Sequence, residues 1–427
     1  MDSTLVIRNG IVLTLEEGAS PLIGGTVVVR GDRVAEVVAA SRRVDRGSGA
    51  IEIDASGCVV MPGLVNCHAH VRPMRGLGED MDVMTWHNQY VDGVSARMTP
   101  EDAYFGAANA YLEMLKNGTT TVMAMSIIET DDMRAAVDTG IRARVARHAE
   151  RRHELEETIA LAEKQSGSSE ADRVRLWLGM ELPAMFQEEE IRLVGDEMER
   201  LNLSLHTHFS EFRVDTLELL ARGGILRKGT LLAHCVHVSE TDSAKMAAAG
   251  VAISHNPKSN MKFGNGAAPL LRYLEQGITV GFGTDGPLST FSCDIFEEMR
   301  TAALLARLLA RSGGALSARR ALEVATRGGA AAMGLSDQIG SLAPGKKADV
   351  IVVDLRGPQF RPLFPEGPLA NLTAMLVFTA TGRDVRDVVV DGQIVVRERR
   401  VLTVDEERVK AECQERGERI LCDIGGG

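Results

Sequence analysis

The stretch VMPGLVNCHAHVRPMRG, residues 60–76, sets His68 and His70 one residue apart at the end of an apolar run that contains Pro62 and Gly63. Successive side chains of a β-strand point to opposite faces, so residues i and i+2 share one, and a strand here projects both imidazoles together from its end. Two parallel imidazoles can hold a metal ion. An isolated His-x-His also suits a loop cap beside a solvated histidine, so its meaning depends on the rest of the chain.

With 427 residues the chain is longer than one average domain and suits a large α/β barrel with a small partner. Hydrophobic residues at 44% and charged ones at 25% place it among ordinary globular proteins with a sizeable core. A net charge of −11 with scattered Lys and Arg argues against a nucleic-acid partner, because phosphate binding needs clustered positive charge. No apolar run approaches the roughly 20 residues of a membrane span, and the start MDSTLVIRNG has neither a basic nor an apolar leader region. Cys58, Cys67, Cys235, Cys293, Cys413 and Cys422 form no Cys-x-x-Cys pair, which suits reduced thiols and a cytoplasmic location.

Working outward, residues 1 to about 58 alternate in the β manner (TLVIRNGIVLTL, GGTVVVRGDRVAEVV), with turn signals at Asn9-Gly10 and Gly31-Asp32. From 59 to about 344, strand-like runs (GTTTVMAMS, LSLHTHFSE, GTLLAHCVH, VAISHNP, ITVGFGTDG) alternate with helical stretches such as MTPEDAYFGAANAYLEMLKNG and SCDIFEEMRTAALLARLLA. That alternation predicts parallel β/α units and an α/β fold, a (β/α)8 barrel over 59–344. Short strands return over 345–403, and the two ends are expected to join in a small β-sandwich domain. Residues 404–427 read as a charged, solvent-facing helical tail closing in a frayed GGG, and SGSSE at 166–170 reads as a loop.

Barrel active sites lie at the C-terminal strand ends. Of the ten histidines, seven fall at such ends: His68, His70, His206, His208, His234, His237 and His255, joined by Glu211 and Asp285. Packing alone does not account for so many, since each buried imidazole needs its own partner. A metal centre does.

PGLVNCHAH, HFSE, AHCVH, SHNPKSNMKFGNGAAP, GFGTDG and IGSLAPGKKADVIVVD occur in this order across nearly the whole chain. Together they resemble the amidohydrolase superfamily, and within it the cytosine deaminase-like branch containing guanine deaminase, adenosylhomocysteine/methylthioadenosine deaminases and triazine hydrolases. The resemblance implies one divalent metal ion per chain, zinc or in some members iron, in a barrel flanked by a β-sandwich. By position, His68, His70, His208 and Asp285 resemble the metal ligands. Asp285 also resembles the acceptor of the attacking water's proton, Glu211 the shuttle that protonates a ring nitrogen, and His234 the residue that orients the water. His206 shares a strand face with His208, but only His208 stands three residues before the acid. His237 and His255 are expected to support the ligands. Lys258 reads as a solvated loop charge, and the methionines of VMAMS and GMELPAM as core filler.

Trp86 resembles a tryptophan that covers the substrate ring, and Arg147 a substrate-contacting arginine. Nucleoside-binding members carry Gly-Pro-His where this chain has Gly179, Met180 and Glu181, and an acid where it has Ser95. Residues 147–176 read as one charged helix where nucleoside-binding relatives often have a loop. With Trp86, Arg147 and Glu181 as the substrate-binding set, these departures point to a purine-, pterin- or triazine-like amino-heterocycle smaller or differently shaped than adenosine. The expected reaction is hydrolytic release of ammonia. Its alternatives are displacement of chloride or cleavage of an amide by the same water, and deamination of adenosylhomocysteine or methylthioadenosine. A non-catalytic scaffold would have a broken ligand set, and this one is intact. A small-molecule substrate and a homo-oligomer, dimer or tetramer, complete the expectation.

Overall fold

The computed structural model describes residues 4–40, 49–165 and 173–425. The N-terminal part supplies β1 (Thr4–Val12), β2 (Leu22–Arg30), β3 (Arg33–Val38), β4 (Ile51–Asp54) and β5 (Cys58–Pro62). Eight further strands follow: β6 (Leu64–His70), β7 (Thr119–Ser126), β8 (Arg142–Arg147), β9 (Val174–Met180), β10 (Leu205–Phe209), β11 (Thr230–His234), β12 (Ala252–His255) and β13 (Thr279–Phe282). Last come β14 (Val350–Asp354), β15 (Val385–Val390), β16 (Gln393–Arg397) and β17 (Arg400–Val401).

Strands β6 to β13 pair in sequence order, every pair parallel, with helices between them. β6 and β7 are buried along their whole length, as strands covered on both faces must be. The barrel is nearly closed. At the seam the Asp285 amide donates to the His68 carbonyl at 3.0 Å, and the Asn66 side chain donates to Thr284 Oγ1 at 2.8 Å. The glycines of GFGTDG permit this approach, for a Cβ on Gly283 would lie 2.8 Å from that of His68.

The two ends form a second sheet, ordered β17-β16-β15-β14-β5-β1-β2-β3 with β4 also on β1. Its period-2 pattern serves two cores. Val60, Val350, Val352 and Val389 join Leu5, Ile7, Val27 and Val29 in a core of the sheet's own, while Val59, Met61, Ile351, Val353, Val388 and Val390 face the barrel's helices. Arg142, fully buried at the start of β8, ties the barrel to this sheet through a two-pronged pair with Asp349 at 2.9 and 3.0 Å and a third bond to Asp391 at 2.7 Å.

Two local expectations change. Gly31-Asp32 is the hairpin turn between β2 and β3, but Asn9-Gly10 lies inside β1: Asn9 takes a left-handed φ of 65° and the register with β2 shifts there, so the pair makes a bulge. The tail faces solvent on one side only. Its helix, Glu406–Gly425, buries Val409 and Ile420, and its Arg416 and Arg419 pair with the fully buried Asp102. SGSSE and the last two glycines lie outside the described residues.

Candidate metal centre and active site

The register of β6 against β7 shifts between Asn66 and Ala69. Val65 and Cys67 pack inside the barrel with Met123 and Ala146, and past the shift His68 and His70 also face inward. A bulge at a strand end re-aims side chains in this way. His208 leaves β10 beside them, and Asp285 follows β13 in a left-handed conformation with φ 58°. The four side chains converge. His70 Nε2 and His208 Nε2 are 3.2 Å apart, and Asp285 Oδ1 lies 3.5 Å from His68 Nε2 and 3.6 Å from His70 Nε2.

Hydrogen bonds fix which ring nitrogens hold lone pairs. A carbonyl only accepts, so His206 Nδ1 donates to the Leu231 carbonyl at 3.0 Å and its Nε2 accepts from His68 Nδ1 at 2.8 Å. His68 Nε2 is thereby left buried, without a hydrogen-bond partner among the described residues, and aimed at the centre. His208 Nδ1 likewise donates to the Glu181 carbonyl at 2.8 Å, turning its Nε2 inward. Burial lowers His68 to about 4, so it is neutral at physiological pH. Burial also pushes His208 down, but the Glu181 carboxylate overrides this and raises the ring to about 9. Without an ion that ring is protonated, and a bound cation would take the place of the Nε2 proton. Three imidazole nitrogens and a carboxylate, with His68, His208 and Asp285 each backed by an outer hydrogen bond, fit a divalent ion with room for water.

Asp285 is itself held, since Ser259 Oγ donates to its Oδ2 at 2.6 Å. His234 ends β11 at φ 70°, and its Nδ1 donates to Asn260 Oδ1 at 2.9 Å. The left-handed Ser210, φ 48°, turns the chain so that Glu211 enters the same cavity as His208. Glu211 accepts from Asn265 Nδ2 at 3.1 Å, lies 3.7 Å from His234, and is raised to about 8 by burial. It therefore carries a proton at neutral pH. The cavity in front of these groups has a volume of about 340 Å³ and is walled by Trp86, His87, Asp92, His148, Glu181 and Phe263 among others.

A model of the amidohydrolase family matches residues 59–395. The chain belongs to the amidohydrolase family. It is 37% identical to a 5-methylthioadenosine/S-adenosylhomocysteine deaminase of Desulforudis audaxviator, over 98% of this chain and 99% of that one. To a 5'-deoxyadenosine deaminase of Methanosarcina mazei it is 33% identical over the same shares. Among solved structures it resembles an adenosine deaminase from Xanthomonas campestris with bound zinc (26% identical, 98% of this chain and 99% of that one, TM-score 0.90). It also resembles atrazine chlorohydrolase from Arthrobacter aurescens complexed with zinc (26%, 96% and 99%, TM-score 0.87). The expected family, barrel fold and class, a metal-dependent hydrolase of carbon–nitrogen bonds, stand with these likenesses.

Within this amidohydrolase, several sequence expectations need correction. Arg147 does not line the cavity: its guanidinium reaches outward to Glu129 at 2.6 Å, and His148 enters instead. The cause is strand parity. Ala143 and Val145 face the outer helices while Ala146 faces the barrel interior, so position 148, not 147, points in. Lys258 is not a solvated charge, for its ammonium bonds Glu297 at 2.5 Å and Ser292 at 2.7 Å, anchoring the short helix Pro257–Lys262 that carries Ser259 and Asn260. Met123 and Met180 are core, but Met185 is exposed and lines the cavity.

Trp86 lies on the cavity wall, 5% exposed, with its indole N–H donating to the Leu77 carbonyl at 3.0 Å. Glu181 also lines the cavity, yet its carboxylate is engaged by His148 and, at 3.1 Å, by His208. His237 and His255 lie outside the cavity wall. Sequence reasoning missed His87, Asp92 and Arg72. Arg72, two residues after His70, is nine-tenths buried beside the cavity, and its Nε and Nη2 have no hydrogen-bond partner among the described residues.

Proposed function

We propose that this chain is a hydrolytic deaminase that releases ammonia from an amino-substituted N-heterocycle, using one divalent ion, zinc, held by His68, His70, His208 and Asp285. The observation that carries the reading is the convergence of these four donors, with His68 and His208 oriented by outer hydrogen bonds, beside a buried Glu211 raised to about 8. When bound, the ion supplies the means to make water nucleophilic at neutral pH, lowering its pKa to about 7.

This chain's own groups move the protons. Asp285, held in place by Ser259, accepts the attacking water's proton. Glu211 gives its proton to a ring nitrogen, which makes the adjacent carbon electrophilic. His234, lowered to about 4 by burial and therefore neutral, steers the water. The tetrahedral carbon then expels ammonia once its nitrogen is protonated. Trp86 offers an apolar wall for a flat ring.

Two positions that would read a sugar are engaged elsewhere. Ser95 Oγ donates back to the Val91 carbonyl at 2.5 Å, and the Glu181 carboxylate is shared by two histidines. Asp92, one helical turn before Ser95, does reach the cavity, but it pairs with His87 at 3.4 Å. Positions engaged in this way gain little from a ribose. Free or modestly substituted aminopurines, aminopterins or aminotriazines are therefore expected to have kcat/KM at least about tenfold above adenosine, adenosylhomocysteine or methylthioadenosine, or about 1.4 kcal/mol. The test compares these compounds with zinc-loaded enzyme, recording ammonia and, for chlorotriazines, chloride. Efficient nucleoside turnover with the bases ignored would contradict the substrate reading and assign the sugar to Asp92 and His87. Chloride without ammonia would replace deamination by the reaction named for the Arthrobacter enzyme.

A further inference from the structure

We infer that the C-terminal helix is a positioning element of the active site, its Ile420 and Ile424 holding in place the segment that carries Trp86. That segment runs through a short helix Val83–Trp86, a π-helical turn His87–Val91 and a second short helix Asp92–Ser95. No piece is long enough to be stable through its own hydrogen bonds. Its front supplies Trp86, His87, Val91 and Asp92 to the cavity. Its back packs into a small apolar cluster of Met74, Trp86, Val91, Val94, Leu288 and Ile420, with Ile424 against it.

Ile420 is 0% exposed and does not line the cavity, so it acts through Trp86 and Val91. Ile424 lies so close that a Cβ on Gly93 would stand 3.4 Å from its Cδ1, and a Cβ on Gly417 would stand 3.0 Å from the Pro73 carbonyl, just past His70. The helix is pinned to a rigid neighbour at both ends. Glu406 accepts from Lys116 at 2.5 Å, and Arg416, at 3.2 Å, and Arg419 hold the buried Asp102, which caps the helix Pro100–Lys116. A strut fixed in this way sets where the segment sits. It carries no chemistry itself.

The inference rests on the reading of the cavity as the substrate site, so its test includes a readout that needs no substrate. The chain has two tryptophans, Trp86 and Trp177, and Trp177→Phe leaves Trp86 as the sole emitter. In that full-length background, Ile420→Ala is expected to raise the acrylamide quenching of Trp86 at least about twofold, because the cavity left behind loosens the cluster. KM for the best heterocycle should rise at least about fivefold, with kcat and metal content within about twofold, since positioning rather than chemistry is disturbed. Ile420→Val should restore most of both. Arg419→Met, which loosens the anchor without touching the cluster, should move quenching and KM in the same direction and serves if Ile420→Ala does not fold. Unchanged quenching in a folded, metal-loaded variant would overturn the inference, as would a fall in kcat or metal content at constant KM. If no heterocycle is deaminated, the quenching alone decides it.

Discussion

Replacing Glu211 by glutamine is expected to lower turnover by about 10²- to 10⁴-fold while metal content stays near that of the parent. Glutamine keeps the shape and can still meet Asn265 and His234, but it has no proton to give and cannot cycle between acid and base. Glu211 is raised to about 8 by burial, and that burial is what would let it protonate a weakly basic ring nitrogen near neutral pH. The loss should therefore fall on kcat and kcat/KM together, the pattern of an interaction made only in the transition state. Metal analysis alongside the kinetics distinguishes the roles. A variant that loses its metal would make Glu211 a ligand.

His68→Ala should do the reverse and empty the site, abolishing activity with it. His68 Nε2 is one of the inward donors and lies 3.5 Å from Asp285 Oδ1, so its removal leaves the centre one ligand short. Since His206 acts one layer out, His206→Ala should weaken metal affinity by only about 10- to 100-fold. Measuring metal content and affinity for both variants ranks them. Equal losses, or a larger loss at His206, would reverse the assignment of ligand and support.

Much of this was legible in the sequence because the relevant signals are local. The alternation of apolar runs and helical stretches gives the parallel barrel, and polar residues ending those runs give His68, His70, His208, His234 and Asp285. What was hidden depends on strand parity, on turns or on distant packing. Arg147 and His148 are adjacent, and only the interior position of Ala146 shows which one points inward. Asn9-Gly10 has turn chemistry, but pairing on both sides keeps the strand going through a bulge. The tail's charges outnumber its apolar residues, yet Val409, Cys413, Ile420 and Ile424 recur at helical spacing and mark the packed face. Lys258 looks solvated only until Glu297 is brought to it from the helix Ile295–Ala310.

The most direct test of the account is the rate of ammonia release from the best heterocycle as metal is returned to chelated protein. One ion held by His68, His70, His208 and Asp285 predicts no release without metal, then a linear rise that breaks at one equivalent per chain. A break at two equivalents, or full release from the chelated protein, would contradict it.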